Sequence, residues 1–150
     1  MDFFDFFDIW TLVLFLHILG SIVWVGGQLT LTLVVTPVAR QQLPEEQRAV
    51  VMRTAGKRYA FVTNAIALPL QLATGLALTF HWGVDANKFE IDGWGELLGA
   101  KLLLVVVSIG FAGAHGVMAA KRNTAASRNF ALAGLAASVL VVLLAAGLTS

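Results

Sequence analysis

The sequence predicts an all-α fold: an integral membrane four-helix bundle with both termini on the outer side. Three observations carry this expectation. Of the 150 residues, 58% are apolar and 13% charged, about half the charged share of a soluble domain, and the mean hydropathy is +0.81. Four apolar stretches each reach or nearly reach the ~20 residues that a helix needs to cross ~30 Å of hydrocarbon. Charge segregates by connecting segment, which sets orientation. In lipid every backbone N–H and C=O has to bond within its own segment, so such stretches become helices. The short alternating segments of a β-barrel are not seen.

Taken in order, the chain opens with Asp2, Asp5 and Asp8 among Phe3, Phe4, Phe6 and Phe7. It lacks the basic n-region and small-residue cleavage site of a secretory signal, so the first helix is expected to stay. The Phe cluster and Trp10 read as an interfacial anchor. The first span covers about 9–36. The segment 37–58 follows, with Pro44, Glu45, Glu46 and Gln47 starting a short amphipathic helix. The second span covers about 59–80. The segment 81–96, rich in turn residues such as Gly83, Asn87, Gly93 and Gly95, carries Trp82 and Trp94 at the interface. The third span covers about 97–120, and after a short segment 121–129 the fourth covers about 130–148. The whole, 1–150, makes one domain.

Arg40, Arg48, Arg53, Lys57 and Arg58 lie in the first connecting segment, and Lys121, Arg122 and Arg128 in the third. The N-terminus and second connection hold Lys88 alone as a cation, against seven carboxylates, Asp2, Asp5 and Asp8 and then Asp85, Glu90, Asp92 and Glu96. Basic segments stay cytoplasmic, so both termini and the second connection of this multi-pass protein face outward; the bacterial inner (cytoplasmic) membrane as its location is what the family resemblance given below implies. Cysteine is absent, which excludes disulfides, thiolate metal sites and iron–sulfur clusters. A net charge of +1 with no basic, aromatic-interleaved patch excludes nucleic acid as a partner. The expected partner is the lipid bilayer; a homo-oligomer or a larger membrane complex is left open.

Polar residues inside membrane helices are costly and turn toward the bundle interior. His17, Ser21, Trp24 and Gln28 step by four, three and four and share one face of the first helix. The second helix offers Asn64, Gln71 and Thr74, with His81 beyond. Lys101, Ser108 and His115 recur every seven residues along the third. The fourth has only Gly134 and Ser138, a small-xxx-small pair suited to packing. Three helices are therefore expected to pool polar groups, with the fourth as a closing wall. Helical rise puts His17 and Lys101 each about 10 Å outside the midplane and His115 about 10 Å inside it. His17, His81 and Lys101 form an outer layer; His115 is too far from His17 to share an ion with it.

Neutral imidazole binds copper, iron or zinc, and haem b is held in helical bundles by His. No carboxylate lies within a span, so a carboxylate dyad, an acidic proton relay and a hydrolytic triad are excluded. Each residue also has a plain structural reading. His17 can bond a neighbouring carbonyl or hydroxyl, His81 can sit at the interface with no ligand, and His115 can reach the headgroups. Lys101 can snorkel or pair with Glu96. Trp24 can simply pack.

Leu16, His17, Ile18, Leu19 and Gly20, followed by Val23 through Gly27, then Pro37 and Arg40, resemble the copper-resistance protein D (CopD) family. Arg58, Thr74-Gly75-Leu76, and Trp94 through Gly99 leading into Lys101-Leu102-Leu103-Leu104 resemble it further, over roughly 16–122. The related membrane protoporphyrinogen oxidase family HemJ is similar in size and four-helix plan, although its Pro-Arg element lies closer to the Trp. The CopD resemblance implies copper handling, that is, transport or resistance; the HemJ resemblance implies haem binding with porphyrinogen oxidation. This chain is shorter than full CopD proteins and lacks a Met-rich region, which favours binding over a copper conduit.

Three functional expectations result. The first is a CopD-like protein with haem b or copper in the outer half of the bundle, with His17 as principal ligand, His81 as second ligand, Trp24 lining the site, and Lys101 facing a propionate. The second is a HemJ-like haem-dependent oxidase, its catalytic residues unassigned. The third is a non-catalytic membrane subunit whose polar residues only pack helices.

Overall fold

The computed structural model describes residues 8–149. The Phe-rich start assigned above as an anchor lies outside these residues. All regular structure among them is helical: α1 Ile9–Gln42, α2 Glu45–Asp85, α3 Trp94–Ala120 and α4 Thr124–Thr149, with a single 3-10 turn at Lys88–Glu90. All four are long and apolar enough to cross a membrane. The chain is an all-α, multi-pass membrane protein. Its contacts divide it into two units, one ending at Ala86 and one starting at Asn87. Each unit is an antiparallel helical hairpin, α1 with α2 and α3 with α4.

The helices are longer than the apolar runs that mark them. The segment 37–58 is not a loop: α1 continues to Gln42, and the expected short amphipathic helix is the first part of α2. Nothing between Glu45 and Tyr59 breaks a helix, and charged side chains suit one that leaves the lipid. Only Leu43 and Pro44 separate the two. Leu43 is extended (φ −119°, ψ 138°) because the proline ring disfavours helical backbone at the preceding residue. Glu45 and Glu46 then fill the first turn of α2, where the helix dipole favours anions. Likewise α4 begins at Thr124 rather than near 130, and the link to it narrows to three residues. Asn123 Oδ1 there accepts from the Ala126 N–H at 3.0 Å. The link between units turns through Asn87 (φ +54°), and Gly93 (φ +84°) leads into α3, a backbone region that glycine enters without a Cβ clash.

Both helices of the first hairpin contain widened, π-helical turns, at Ile22–Gly26 and Leu31–Val35 in α1 and at Thr63–Ala67 and His81–Asp85 in α2. Two have a sequence cause. Pro37 and Pro69 follow Leu31–Val35 and Thr63–Ala67; each lacks an N–H and would clash with the carbonyl four residues back, and a wider turn relieves both problems. Thr36 donates its hydroxyl to the Leu31 carbonyl at 2.7 Å, five residues back.

The N-terminus of α1 is capped by Asp8, whose Oδ1 accepts from the Thr11 amide and the Thr11 hydroxyl, both at 2.7 Å. The Thr11 hydroxyl bond, then the amide bond, hold the Asp8 carboxyl below its ordinary value of 3.8. A depressed carboxylate stabilises the folded state fully above its unfolded pKa, and that contribution is lost as pH falls through the lowered one. Acidification through this range is expected to speed amide exchange in the first turn relative to Asp8→Asn, which caps without titrating. Equal pH responses in the two proteins would refute a role for the cap's charge.

Candidate functional site

The polar face of α1 predicted from spacing is the face that meets α2. His17 Nδ1 lies 2.9 Å from Thr74 Oγ1. The Thr74 hydroxyl donates to the Leu70 carbonyl at 2.6 Å. With its proton engaged there, Oγ1 acts as acceptor, so His17 Nδ1 carries the hydrogen and the imidazole lone pair rests on Nε2. The ring brings its Cε1 edge against Gly75, where an added Cβ would stand 3.0 Å from Cε1. A hydroxyl fixing the tautomer and a glycine making room together hold the imidazole in one orientation.

One turn inward, Ser21 accepts from Gln71 Nε2 and donates to the His17 carbonyl at 3.2 Å. Gly20 leaves room for the Gln71 side chain, 3.1 Å from where a Cβ would sit. Gln71 Oε1 is buried and has no hydrogen-bond partner among the described residues. Farther along, Trp24 is buried in the Ile22–Gly26 turn, and its carbonyl accepts the Tyr59 hydroxyl. The Tyr59 ring lies against Gly27 so closely that a Cβ there would be 2.3 Å from Cε2. Asn64, expected to face inward, is exposed in this hairpin, and Thr63 is buried in its place. The Thr63–Ala67 turn shifts the register of side chains around the helix.

His81 occupies a different level. It lies seven residues beyond Thr74, about 10 Å along the axis. Its ring stacks on Trp10, with centroids 3.8 Å apart and planes 4° from parallel, and its Nδ1 is 3.5 Å from Asp85 Oδ2. The two imidazoles rest on different partners: His17 bonds Thr74, and the stack on Trp10 and the Asp85 carboxylate hold His81 at the hairpin's end. Among the described residues there is no group of three or more His, Cys, Asp or Glu able to hold a metal ion.

The stripe on α3 belongs to the second hairpin. Ser108 and Ser138, each 1% exposed, join through their hydroxyls at 2.7 Å, and Ser138 also donates to the Gly134 carbonyl at 2.9 Å. His115 Nδ1 donates to the Ser127 carbonyl at 2.9 Å. Trp94 Nε1 donates to the Leu148 carbonyl at 3.4 Å. Hence α4 is not a bare wall: it takes the polar groups of α3, as α2 takes those of α1. Lys101 lies two turns from Ser108 on the same stripe, and it forms no ion pair with Glu96. His115 bonds α4 rather than reaching headgroups.

Residues 19–129 match the domain of unknown function DUF4149. The chain belongs to the DUF4149 family. Its matched region includes Trp24, Tyr59, Thr74, His81 and Lys101, while His17 falls two residues before it. The chain is also similar to an "Uncharacterized protein" of Aquifex aeolicus (strain VF5), 36% identical over 69 residues, which are 46% of this chain and 47% of that relative. The match thus spans about half of the relative's length. No solved structure matches.

Spacing found His17, Ser21, Trp24 and Thr74, with Gly20 and Gly27 bordering the polar face of α1, but it gave no special place to Tyr59 or Gly75. Tyr59 is the chain's single tyrosine, and glycines at 20 and 27 mark close approach; those were the signals available.

Proposed function

We propose that this protein is a CopD-like membrane protein that binds haem b or copper through His17 Nε2. The observation that carries the reading is the His17–Thr74 hydrogen bond over Gly75. It favours the tautomer that a metal ligand needs, because ligating histidines generally donate their other ring N–H to a neighbouring acceptor. A single imidazole would serve to hold a haem, whereas a copper chelate would draw on several N or S donors. When bound, haem would supply one-electron redox chemistry; His17 would orient it, and Thr74 would keep the ring from turning. The reading rests on the first hairpin alone. A HemJ-like porphyrinogen oxidase would use the same His17, and complementation of a protoporphyrinogen-oxidase-deficient strain separates it from a binding protein. A bacterial inner-membrane location is part of this proposal, supported by the basic segments and by the Aquifex relative.

A second reading, a subunit whose polar residues only pack helices, is favoured by the bonding of His17, Ser21 and Tyr59 within one hairpin. Absorption spectra, oxidised and dithionite-reduced, with metal analysis of the detergent-purified protein decide between them. The expected result is a Soret band or bound copper that His17→Ala abolishes and Thr74→Val weakens. A colourless, metal-free protein after expression with haem and copper supplied would overturn the cofactor reading and leave packing.

A further inference from the structure

The first hairpin is much longer than a bilayer is thick. The 34 residues of α1 and 41 of α2 span about 51 and 62 Å, against ~30 Å of hydrocarbon. Trp10, an interfacial residue type, stacks on His81 at one end. About twenty residues inward from Trp10, the far edge of the hydrocarbon falls near Thr30. Tyr59, its ring against Gly27, marks a similar level on α2. Beyond lie two helical arms, residues 31–42 and 45–58.

The arms differ in chemistry. The α1 arm exposes Leu33, Val34 and Val38 and carries one charge, Arg40. The α2 arm carries Arg48, Arg53, Lys57 and Arg58 against Glu45 and Glu46. Val50, Arg53 and Lys57 share one face of it, continued past Tyr59 by Phe61, and Val50 and Phe61 are exposed. None of the five cations forms an ion pair among the described residues. An apolar arm beside a basic one is the composition of interfacial elements, whose apolar side enters the headgroup boundary while cations meet phosphates. Water alone would leave Leu33, Val34 and Val38 uncovered, and so would a nucleic acid.

We propose that the arms of the α1–α2 hairpin form a binding surface for anionic phospholipid headgroups in the leaflet they adjoin. Arg53, Lys57 and Arg58 hold the phosphates, and Leu33, Val34 and Val38 seat among the acyl-chain ends. This surface is independent of His17.

The full-length protein is reconstituted in phosphatidylcholine nanodiscs, and the boundary association of spin-labelled phosphatidylglycerol is compared with that of spin-labelled phosphatidylcholine. The expected result is a preference for the anionic lipid that falls about tenfold in the Arg53→Gln/Lys57→Gln/Arg58→Gln variant. In the wild type it should fall as salt rises from roughly 50 to 500 mM, because screening shortens the reach of each charge. The salt series and single Arg53→Gln variant keep the test decisive if the triple variant does not fold. Equal association of both lipids would overturn the proposal. So would a preference indifferent to the variant and salt, or one abolished instead by Lys121→Gln/Arg122→Gln. Tight binding of a soluble oligonucleotide to the same arms, uncompeted by anionic lipid, would also overturn it.

Discussion

Gly27→Leu is expected to open the inner half of the first hairpin. Even the first carbon added at this position would stand 2.3 Å from Tyr59 Cε2, so the ring has to leave, and its hydroxyl loses the Trp24 carbonyl. Overpacking of this kind costs about 1–3 kcal/mol, and an interhelical hydrogen bond in a membrane protein adds about 0.6 kcal/mol. The measurement is the midpoint of an SDS titration followed by tryptophan fluorescence. Tyr59→Ala supplies the diagnostic partner. Removing the ring makes room for the leucine, so the double variant should be more stable than the sum of the single losses predicts. Additive losses would mean that the Gly27–Tyr59 contact is not what the leucine disrupts.

Ser138→Leu is expected to separate α3 from α4 with a comparable or larger loss. Ser108 and Ser138 are the most deeply buried polar residues described, each 1% exposed. Their hydroxyls meet at 2.7 Å, and one turn away a Cβ on Gly134 would be 3.3 Å from Phe111 Cβ. No space exists there for a branched side chain, so about 1–3 kcal/mol of overpacking is added to the lost hydrogen bond. Ser138→Ala removes only the hydroxyl and should cost about 0.6 kcal/mol, at most ~1.7. The two are compared in the same titration, followed by the emission of Trp94, which bonds Leu148 at the far end of this hairpin. If alanine proves as damaging as leucine, the hydrogen bond rather than close packing holds the pair.

How much of this was legible beforehand differs by residue. The stripe of His17, Ser21 and Trp24 follows from helical period alone: His17 and Ser21 bond α2, and Trp24 is buried. The Gly134–Ser138 pair was readable as packing for the same reason. The Thr63 and Asn64 exchange was not, because the Thr63–Ala67 widened turn breaks the period that assigned Asn64 to the interior. The length of α2 was hidden too. Residues 45–58 look like a loop when only apolar runs are counted, although their helix-forming residues continue α2 without interruption.

The sequence by itself determined that the chain crosses a membrane on four helices and, where the helical period is unbroken, which face carries the polar groups. These are local properties, set by the length of apolar runs, the need to satisfy the backbone in lipid, and the 3.6-residue period. The tertiary structure alone decided which stripe meets which. It gave the polar face of α3 to α4, set His17 on Thr74 and His81 on Trp10, and laid Tyr59 over Gly27. Such pairings depend on the axial register of one helix against its neighbour. Register is settled by side chains far apart in the chain closing on one another, and no spacing within a single helix records it.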